Sequence, residues 1–330
     1  MRAVVCREFG PPDVLRMETV PDPESGPGQV VIEVHASAAN FPDLLMMRDQ
    51  YQLKPGLPFS PGGEVAGVVS RLGAGVAGVE VGQRVMALTG AGGFAEKVVA
   101  AAGSLLPIPE GMDMATAAGF PTAYGTSYHA LVDRGRLQPG ETLLVLGAAG
   151  GVGMSAVEIG AALGGVVIAG ASSAEKLAVC AEHGAALTVN YAEEDLRSRI
   201  RDLTDGRGVD VVYDPVGADL AEPAFRSMAW NGRYLIIGFA GGYIPKLALN
   251  LPLLKGAAAV GVYWGAFAGR QSEENRRNFE ELGRLYEAGK LRPVVSAAYP
   301  LERAADALRD LEERRAMGKV VVLTGAGSAP

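Results

Sequence analysis

The chain has 330 residues, 48% hydrophobic and 20% charged, which is enough for two domains with sizeable cores and ordinary for an α/β enzyme. Its formal net charge of −7 and pI near 5.2, with basic residues interspersed among acids as in RRNFEELGR, argue against a nucleic-acid or anionic-membrane surface as the main partner. The two cysteines, Cys6 and Cys180, lie far apart and outside any CxxC, which excludes a disulfide framework and a cysteine-built structural zinc site.

Residues 1 to about 118 read as mainly β. Short valine-rich runs such as VVIEVHA, EVAGVVSRLG, QRVMAL and FAEKVVA are separated by glycine and proline turns, the rhythm of a compact β-rich barrel. The first residues, MRAVVCREFG, lack the apolar core of a signal peptide, and the uncharged stretch 256–269 is too short for a bilayer-spanning helix. No membrane segment and a cytoplasmic location are therefore expected.

Near Phe120 the rhythm changes to strand, helix, strand, with strands expected at 142–147, 166–170, 187–191, 210–214, 234–239 and 259–263. Six such strands make a doubly wound sheet. Two amphipathic helices follow: the first opens at Ser272 with Phe279, Leu282 and Tyr286 on one face, and the second carries Ala305, Leu308 and Leu311 and stops at Gly318. Because this segment is no seventh Rossmann unit, it is expected to rejoin the first domain through a last strand, KVVVL. The expected division is 1–121 with 265–330 as one domain and 122–264 as an inserted dinucleotide domain, with a cleft between the two.

The most informative stretch is TLLVLGAAGGVG, residues 142–153. Leu143, Leu144, Val145 and Leu146 are apolar on both faces, as a buried parallel strand requires, and helical spacing resumes after the turn. Glycines 150 and 151 let the backbone approach a pyrophosphate, Gly153 lets helix and strand pack closely, and the helix N-terminus offers unpaired N–H groups to the anion. A tight βα turn also wants glycine for its own sake, so context has to decide.

That context lies at the end of the next strand. NAD-specific proteins place an acidic residue about 20 positions beyond the loop, on the ribose 2′-hydroxyl. Here the chain reads AGASSAEK, with Ser172 and Ser173 in that place, Lys176 close behind, and Tyr191 ending the following strand. A hydroxyl pair with an ammonium can hold a 2′-phosphate, which favours NADP(H). Ser172 can equally cap a helix with Glu175 in its first turn.

The segments PGGEVAGVV, VGQRVMAL, GGFAEKVV, FPTAYGTSYHAL, AAGGVG, GRGVDVVYDPVG and GKVVVL occur in the order used by the medium-chain dehydrogenase/reductase superfamily, which the chain resembles over nearly its whole length. Within it the chain looks like the zinc-independent quinone oxidoreductase (zeta-crystallin-like) and enoyl reductase branch. The resemblance implies a GroES-like β-rich catalytic domain joined to a Rossmann NADP(H)-binding domain. In the alcohol dehydrogenase branch, catalytic zinc is held by a Cys and a His at places matching about Asn40 and Gly63, and by a second Cys matching the Phe120 and Pro121 region; none of those ligands is present. Glu64 remains, with an expected role as a buried partner for backbone or an arginine. His35, His129 and His183 are unclustered and read as structural or exposed.

The same resemblance supplies a site. In NFPDLLMMRDQY it places Asn40 beside the nicotinamide ribose, Asp43 nearby and Tyr51 at the cleft, where a phenol can stabilise or protonate a developing oxyanion. Cofactor contacts are implied for Thr122, for Ala149, Gly150, Gly151 and Val152 at the pyrophosphate, and for Ser172, Ser173, Lys176 and Tyr191 at the 2′-phosphate. Phe239 and Ala240 in the loop after the fifth strand, Val262, Tyr263 and Trp264 ending the sixth, and Lys319 complete the set. Leu45 stands where such quinone reductases often carry a second tyrosine, which makes the acceptor pocket more apolar. The uncharged AAAVGVYWGAF run suits the seam of a homodimer with a continuous sheet.

The function these readings predict is an NADPH-dependent, zinc-independent reductase of quinones or α,β-unsaturated carbonyls, with a small-molecule substrate. An enoyl-CoA or enoyl-thioester reductase is the alternative, with Leu45, Met46 and Met47 facing the acyl chain and Arg48 and Lys54 available for CoA phosphates. A non-catalytic NADPH-binding or sensor protein is the alternative of another class.

Overall fold

The computed structural model describes residues 1–325 and divides into two compact units, 1–122 together with the chain from Pro293, and Ala123–Arg292. The first unit contains β1 (Arg2–Val5), β2 (Arg16–Thr19), β3 (Gln29–Ala39), α1 (Phe41–Met47), β4 (Glu64–Leu72), β5 (Arg84–Leu88), β6 (Lys97–Ala101) and β7 (Leu105–Pro107). The unit boundary falls within α2 (Met114–Tyr128). The second unit runs β8 (Thr142–Val145), α3 (Gly151–Ala162), β9 (Val166–Ala171), α4 (Ala174–Glu182), β10 (Leu187–Asn190), α5 (Leu196–Leu203) and β11 (Val209–Asp214). It continues through α6 (Ala221–Arg226), β12 (Met228–Ile236), α7 (Asn250–Lys255), β13 (Ala258–Gly261), α8 (Trp264–Arg270) and α9 (Ser272–Glu287). The chain then closes on the first unit with β14 (Val295–Pro300), α10 (Ala304–Glu312) and β15 (Lys319–Leu323).

In the first unit the long strand β3 is the hub, pairing antiparallel with β4, β6 and β15. Its β-branched run buries Val30, Ile32 and Val34 against Val65, Val69, Val85 and Val98, and its length lets β6, at residues 29–33, and β15, at residues 36–39, share one edge while β4 takes the other. The sheet order is β14-β15-β3-β4-β5-β7, and β14 runs parallel to β15, so the terminal KVVVL strand rejoins the first unit as its pattern predicts. Helix α10 lays Ala304, Ala307 and Leu308 on Val320 and Val322 and on Leu44 and Met47 of α1.

The second unit holds six strands, all parallel, in the order β10-β9-β8-β11-β12-β13. This is the doubly wound Rossmann arrangement. Leu143, Leu144 and Val145 of β8 are fully buried, as a central parallel strand demands. Two details differ from the sequence pattern. Strand β12 opens at Met228, ahead of the predicted 234, because Met228 already pairs with Val209 before a register break. The return to the first unit, predicted at 265, comes instead at Pro293. The intervening helices stay in the second unit because Trp264 anchors them: its indole Nε1 donates to Asn275 Oδ1 at 2.9 Å and its ring lies 6.2 Å from that of Phe279. The space for that indole is made by Gly125, where a Cβ would come within 2.5 Å of it. Among the described residues no helix is long and apolar enough to cross a membrane.

Candidate active site

In the first unit, β3, α1, β4 and β15 bring four polar side chains together. Asn40 follows β3 as the N-cap of α1, Glu64 opens β4, and Lys319 opens β15. The Lys319 ammonium donates to Glu64 Oε1 at 2.9 Å and to Asn40 Oδ1 at 2.5 Å, while Asn40 Nδ2 donates to the same Glu64 oxygen at 2.8 Å. The other Glu64 oxygen accepts from the backbone N–H of Thr122 at 2.7 Å. Glu64 is fully buried and Lys319 nearly so, so each charge depends on the other for solvation it has lost. The expected buried role for Glu64 is thus realised, with a lysine rather than an arginine as partner. The Asn40 amide orientation is fixed by its two neighbours, since only this orientation satisfies both an ammonium donor and a carboxylate acceptor.

Asp43, which the resemblance sets near the nicotinamide ribose, holds backbone in place. It is 1% exposed, and its two oxygens accept the backbone N–H groups of Asn40 at 2.8 Å and Gly62 at 2.9 Å. These bonds close the first turn of α1 and tie it to the chain entering β4. Burial pushes its carboxyl up to about 6, against the opposing pull of the two backbone donors and Lys319. The N-x-P-D spacing ahead of an apolar run is a capping signature readable from sequence. The Glu64–Lys319 pair, separated by 255 positions, leaves no local signal.

Tyr51 follows α1 half-buried, its ring packed on the cluster formed by Leu44, Met46, Met47, Leu301 and Leu308. Met46 and Met47 are buried in that core, and Leu45 is half-buried. Arg48 pairs with Glu312 and Lys54 with Asp49, so both cations offered to CoA phosphates already have carboxylate partners.

In the second unit the candidate residues lie at the carboxyl ends of the strands. After β8 the chain turns through Gly147, at φ +57, and enters α3 with Gly150 as N-cap. No side chain caps this twelve-residue helix and its first turn carries no acid, so its N-terminal N–H groups have no side-chain acceptor. Gly153 is obligatory for packing: a Cβ there would lie 2.2 Å from the Gly147 carbonyl oxygen and 2.8 Å from Ala148 Cα. Ala149, Gly150, Gly151 and Val152 form the rim of this turn. A pyrophosphate fits such a rim, and the donors are backbone N–H groups needing no particular side chain.

At the end of β9, Ser173, not Ser172, caps α4, its hydroxyl accepting from Lys176 N at 3.4 Å. Ser172 is exposed and Lys176 half-buried in the first turn. Tyr191 N–H donates to Ala171 O at 3.1 Å, which sets Tyr191 beside Ser172, and its ring lies over Gly170. No carboxylate stands at the end of β9. At the end of β11, Asp214 accepts from the N–H groups of Val216 at 2.7 Å and Gly217 at 2.8 Å and from the Tyr234 hydroxyl, shaping a loop that sequence reading passes over. Burial drives the Asp214 carboxyl upward. Ala240 N–H donates to Pro215 O at 3.1 Å, and Phe239 is partly exposed beside Gly217. Val262 extends the β12 pairing through an N–H to Ile236 O at 3.0 Å and Tyr263 is exposed, whereas the Trp264 side chain is consumed by the core anchor described above.

The histidines sit apart from one another in chemistry as well: His183 faces Glu158 at 2.5 Å, and His129 faces Asp133 at 2.7 Å and stacks on Phe267. Among the described residues no three His, Cys, Asp or Glu side chains gather as a metal site would need.

Comparisons with known proteins agree with this layout. Residues 26–110 match the family described as alcohol dehydrogenase GroES-like domain, and residues 183–322 the one described as zinc-binding dehydrogenase. A quinone oxidoreductase-like protein 2 homolog from Nematostella vectensis is 37% identical over 98% of this chain and 89% of its own length. Among solved structures, mycobacterial Rv1454c complexed with NADPH is 32% identical with a TM-score of 0.93, covering 98% of this chain and all of the other. Escherichia coli quinone oxidoreductase complexed with NADPH is 27% identical with a TM-score of 0.91 over the same shares. The chain belongs to the medium-chain dehydrogenase/reductase superfamily, in its quinone-oxidoreductase-like branch, and is an oxidoreductase built to use a nicotinamide dinucleotide.

Proposed function

We propose that this protein is an NADPH-dependent reductase of quinones or α,β-unsaturated carbonyls that works without a catalytic metal. The observation that carries the reading is the pairing, in the second unit, of an uncapped α3 N-terminus with an acid-free end of β9 lined by Ser172, Ser173, Lys176 and Tyr191. The first feature suits a pyrophosphate and the second a 2′-phosphate, which a carboxylate would repel. The NADPH complexes of the two solved relatives support the same assignment.

When bound, the reduced cofactor supplies a hydride from the nicotinamide C4. In this reading Ala149 to Val152 hold the pyrophosphate, Thr122 and Asn40 orient the nicotinamide end, and Lys319 with Glu64 keeps Asn40 in one rotamer. Tyr51 donates a hydrogen bond to the acceptor oxygen as negative charge develops there. Positions matching zinc ligands in alcohol dehydrogenases hold Asn40, Gly63, Phe120 and Pro121, none of which offers a thiolate or imidazole, so the acceptor has to arrive already polarised. The pairing of Arg48 and Lys54 turns the preference away from CoA thioesters.

The test is NADPH oxidation, followed by absorbance, with 1,4-benzoquinone, 9,10-phenanthrenequinone, a medium-chain enone and crotonyl-CoA. Turnover with the first three, unchanged by chelator, is expected. Tight NADPH binding with no turnover on any acceptor would return the protein to the sensor class. Tyr51→Phe should lower kcat while leaving NADPH affinity unchanged.

A homodimer is part of the proposal. Strand β13 is the outer strand of the six-stranded sheet, and Trp230, Ile244, Leu249, Leu253 and Leu254 of the same unit are exposed, an apolar load that pairing of two β13 edges across a two-fold would cover. Light scattering on the purified protein checks it.

A further inference from the structure

The second unit carries another concentration of charge that the dinucleotide reading does not use. A groove of about 480 Å³ is walled by α5 on one side and by the amino ends of β11 and β12 and the end of α7 on the other. Arg197, Arg201, Arg207, Arg226 and Lys255 line it, with Asp195 as the one lining carboxylate. The nucleotide-facing turns lie at the carboxyl ends of β8, β9 and β11, so residues 206–208 and Met228, which precede or open their strands, belong to the opposite edge of the sheet.

Not all of this charge is neutralised. Arg207 pairs with Asp210 at 2.7 Å and Arg226 with Glu222 at 2.7 Å, whereas Arg201 reaches Asp202 only at 3.7 Å. Arg197 and Lys255 have no carboxylate partner among the described residues. Asp195 is engaged as the N-cap of α5, accepting the Ser198 N–H at 2.7 Å. The Lys255 ammonium is anchored on the Met228 carbonyl at 2.6 Å, and burial together with the nearby charges of Arg197 and Arg226 holds it below the usual lysine range. Like charges held close on well-ordered backbone repel one another until an anion enters, and guanidinium forks are suited to phosphate oxygens.

We propose that this groove is a binding site for a small polyphosphate anion, one with two or more linked phosphates, separate from the dinucleotide site and independent of the redox assignment. The probe is inorganic tripolyphosphate, titrated calorimetrically into the full-length protein with and without saturating NADPH, with sulfate at matched ionic strength as the control. Binding is expected in both conditions, weakening as salt rises and exceeding that of sulfate. The exposed-site variant Arg197→Glu and, separately, Lys255→Gln should each weaken it by about tenfold or more while leaving NADPH affinity unchanged. Absence of binding, affinity equal to sulfate, or uptake of an RNA oligonucleotide but not tripolyphosphate would each overturn the proposal. So would binding that NADPH abolishes and both variants leave intact, because that signal belongs to the α3 turn.

Discussion

The candidate residues of the two units are specified in opposite ways. In the first unit, Asn40, Asp43, Glu64 and Lys319 fix one another through side chains drawn from distant parts of the chain, in a buried setting where each polar atom has its partner. In the second, the groups proposed to hold the pyrophosphate are backbone N–H donors on a contiguous turn, and the side chains that matter most are the missing ones of the glycines. A side-chain cluster is costly to alter at any member because what remains is an unpaired buried group. A backbone cradle tolerates most changes and fails only where a Cβ has no room.

That contrast ranks the experiments. Glu64→Ala should be the most damaging, at about 3–5 kcal/mol of stability, because it strands the Lys319 ammonium and the Thr122 N–H together. Denaturant unfolding measures it, and Glu64→Leu combined with Lys319→Met should recover much of the loss. A single-variant cost below about 1 kcal/mol would show that the cluster is solvated and not the rigid unit described.

Asp43 gives a pH signature for the same cluster. Its folded carboxyl titrates near 6 and its unfolded one near the ordinary value of about 3.9, so between those values the folded state binds the extra proton. Stability from this group is therefore greatest in acid and declines as pH rises from about 4 to about 6, by roughly 2–3 kcal/mol, then stays level. Asp43→Asn removes the titration, so its unfolding free energy should lose this slope, and its amide nitrogen would confront a backbone N–H where the carboxylate accepted one. An identical slope in the variant would assign the titration elsewhere.

The same contrast explains what could be read in advance. The six-stranded doubly wound sheet, the turn at 147–153 and the return of KVVVL to the first domain were legible because each rests on local periodicity or on a short motif. The return point was misplaced because Trp264 reads as the end of a strand, and its role as an anchor depends on Gly125 and Asn275, which no spacing connects to it. Ser172 and Ser173 are indistinguishable as caps until the end of β9 is known. The hub role of Glu64 is written in pairwise contacts between β4 and β15, which a one-dimensional pattern does not contain.

For the second unit, Gly153→Ala is the sharpest probe. A methyl group 2.2 Å from the Gly147 oxygen has to push α3 off β8, at about 1–3 kcal/mol, and the displaced turn should lose NADPH affinity along with stability. Gly103→Ala, where a Cβ meets nothing within 4 Å, is the control and should leave both unchanged. Loss of affinity without loss of stability would mean that the glycine serves the ligand directly and not the packing of helix on strand.

The smallest effect concerns Lys176, which in the proposed reading meets a single phosphate. Lys176 sits in the first turn of α4 next to Ser172 and Ser173, and alanine keeps the helix. Removing one ammonium from a phosphate costs about 1.5–3 kcal/mol, so KM for NADPH should rise about tenfold or more. NADH has no 2′-phosphate to lose, and its KM should hardly move. The ratio of the two therefore isolates the end of β9 from every other contact with the dinucleotide. Equal changes for both cofactors would mean that Lys176 acts on the shared part of the molecule, and the preference for NADPH would then have to come from Tyr191 or the serine hydroxyls.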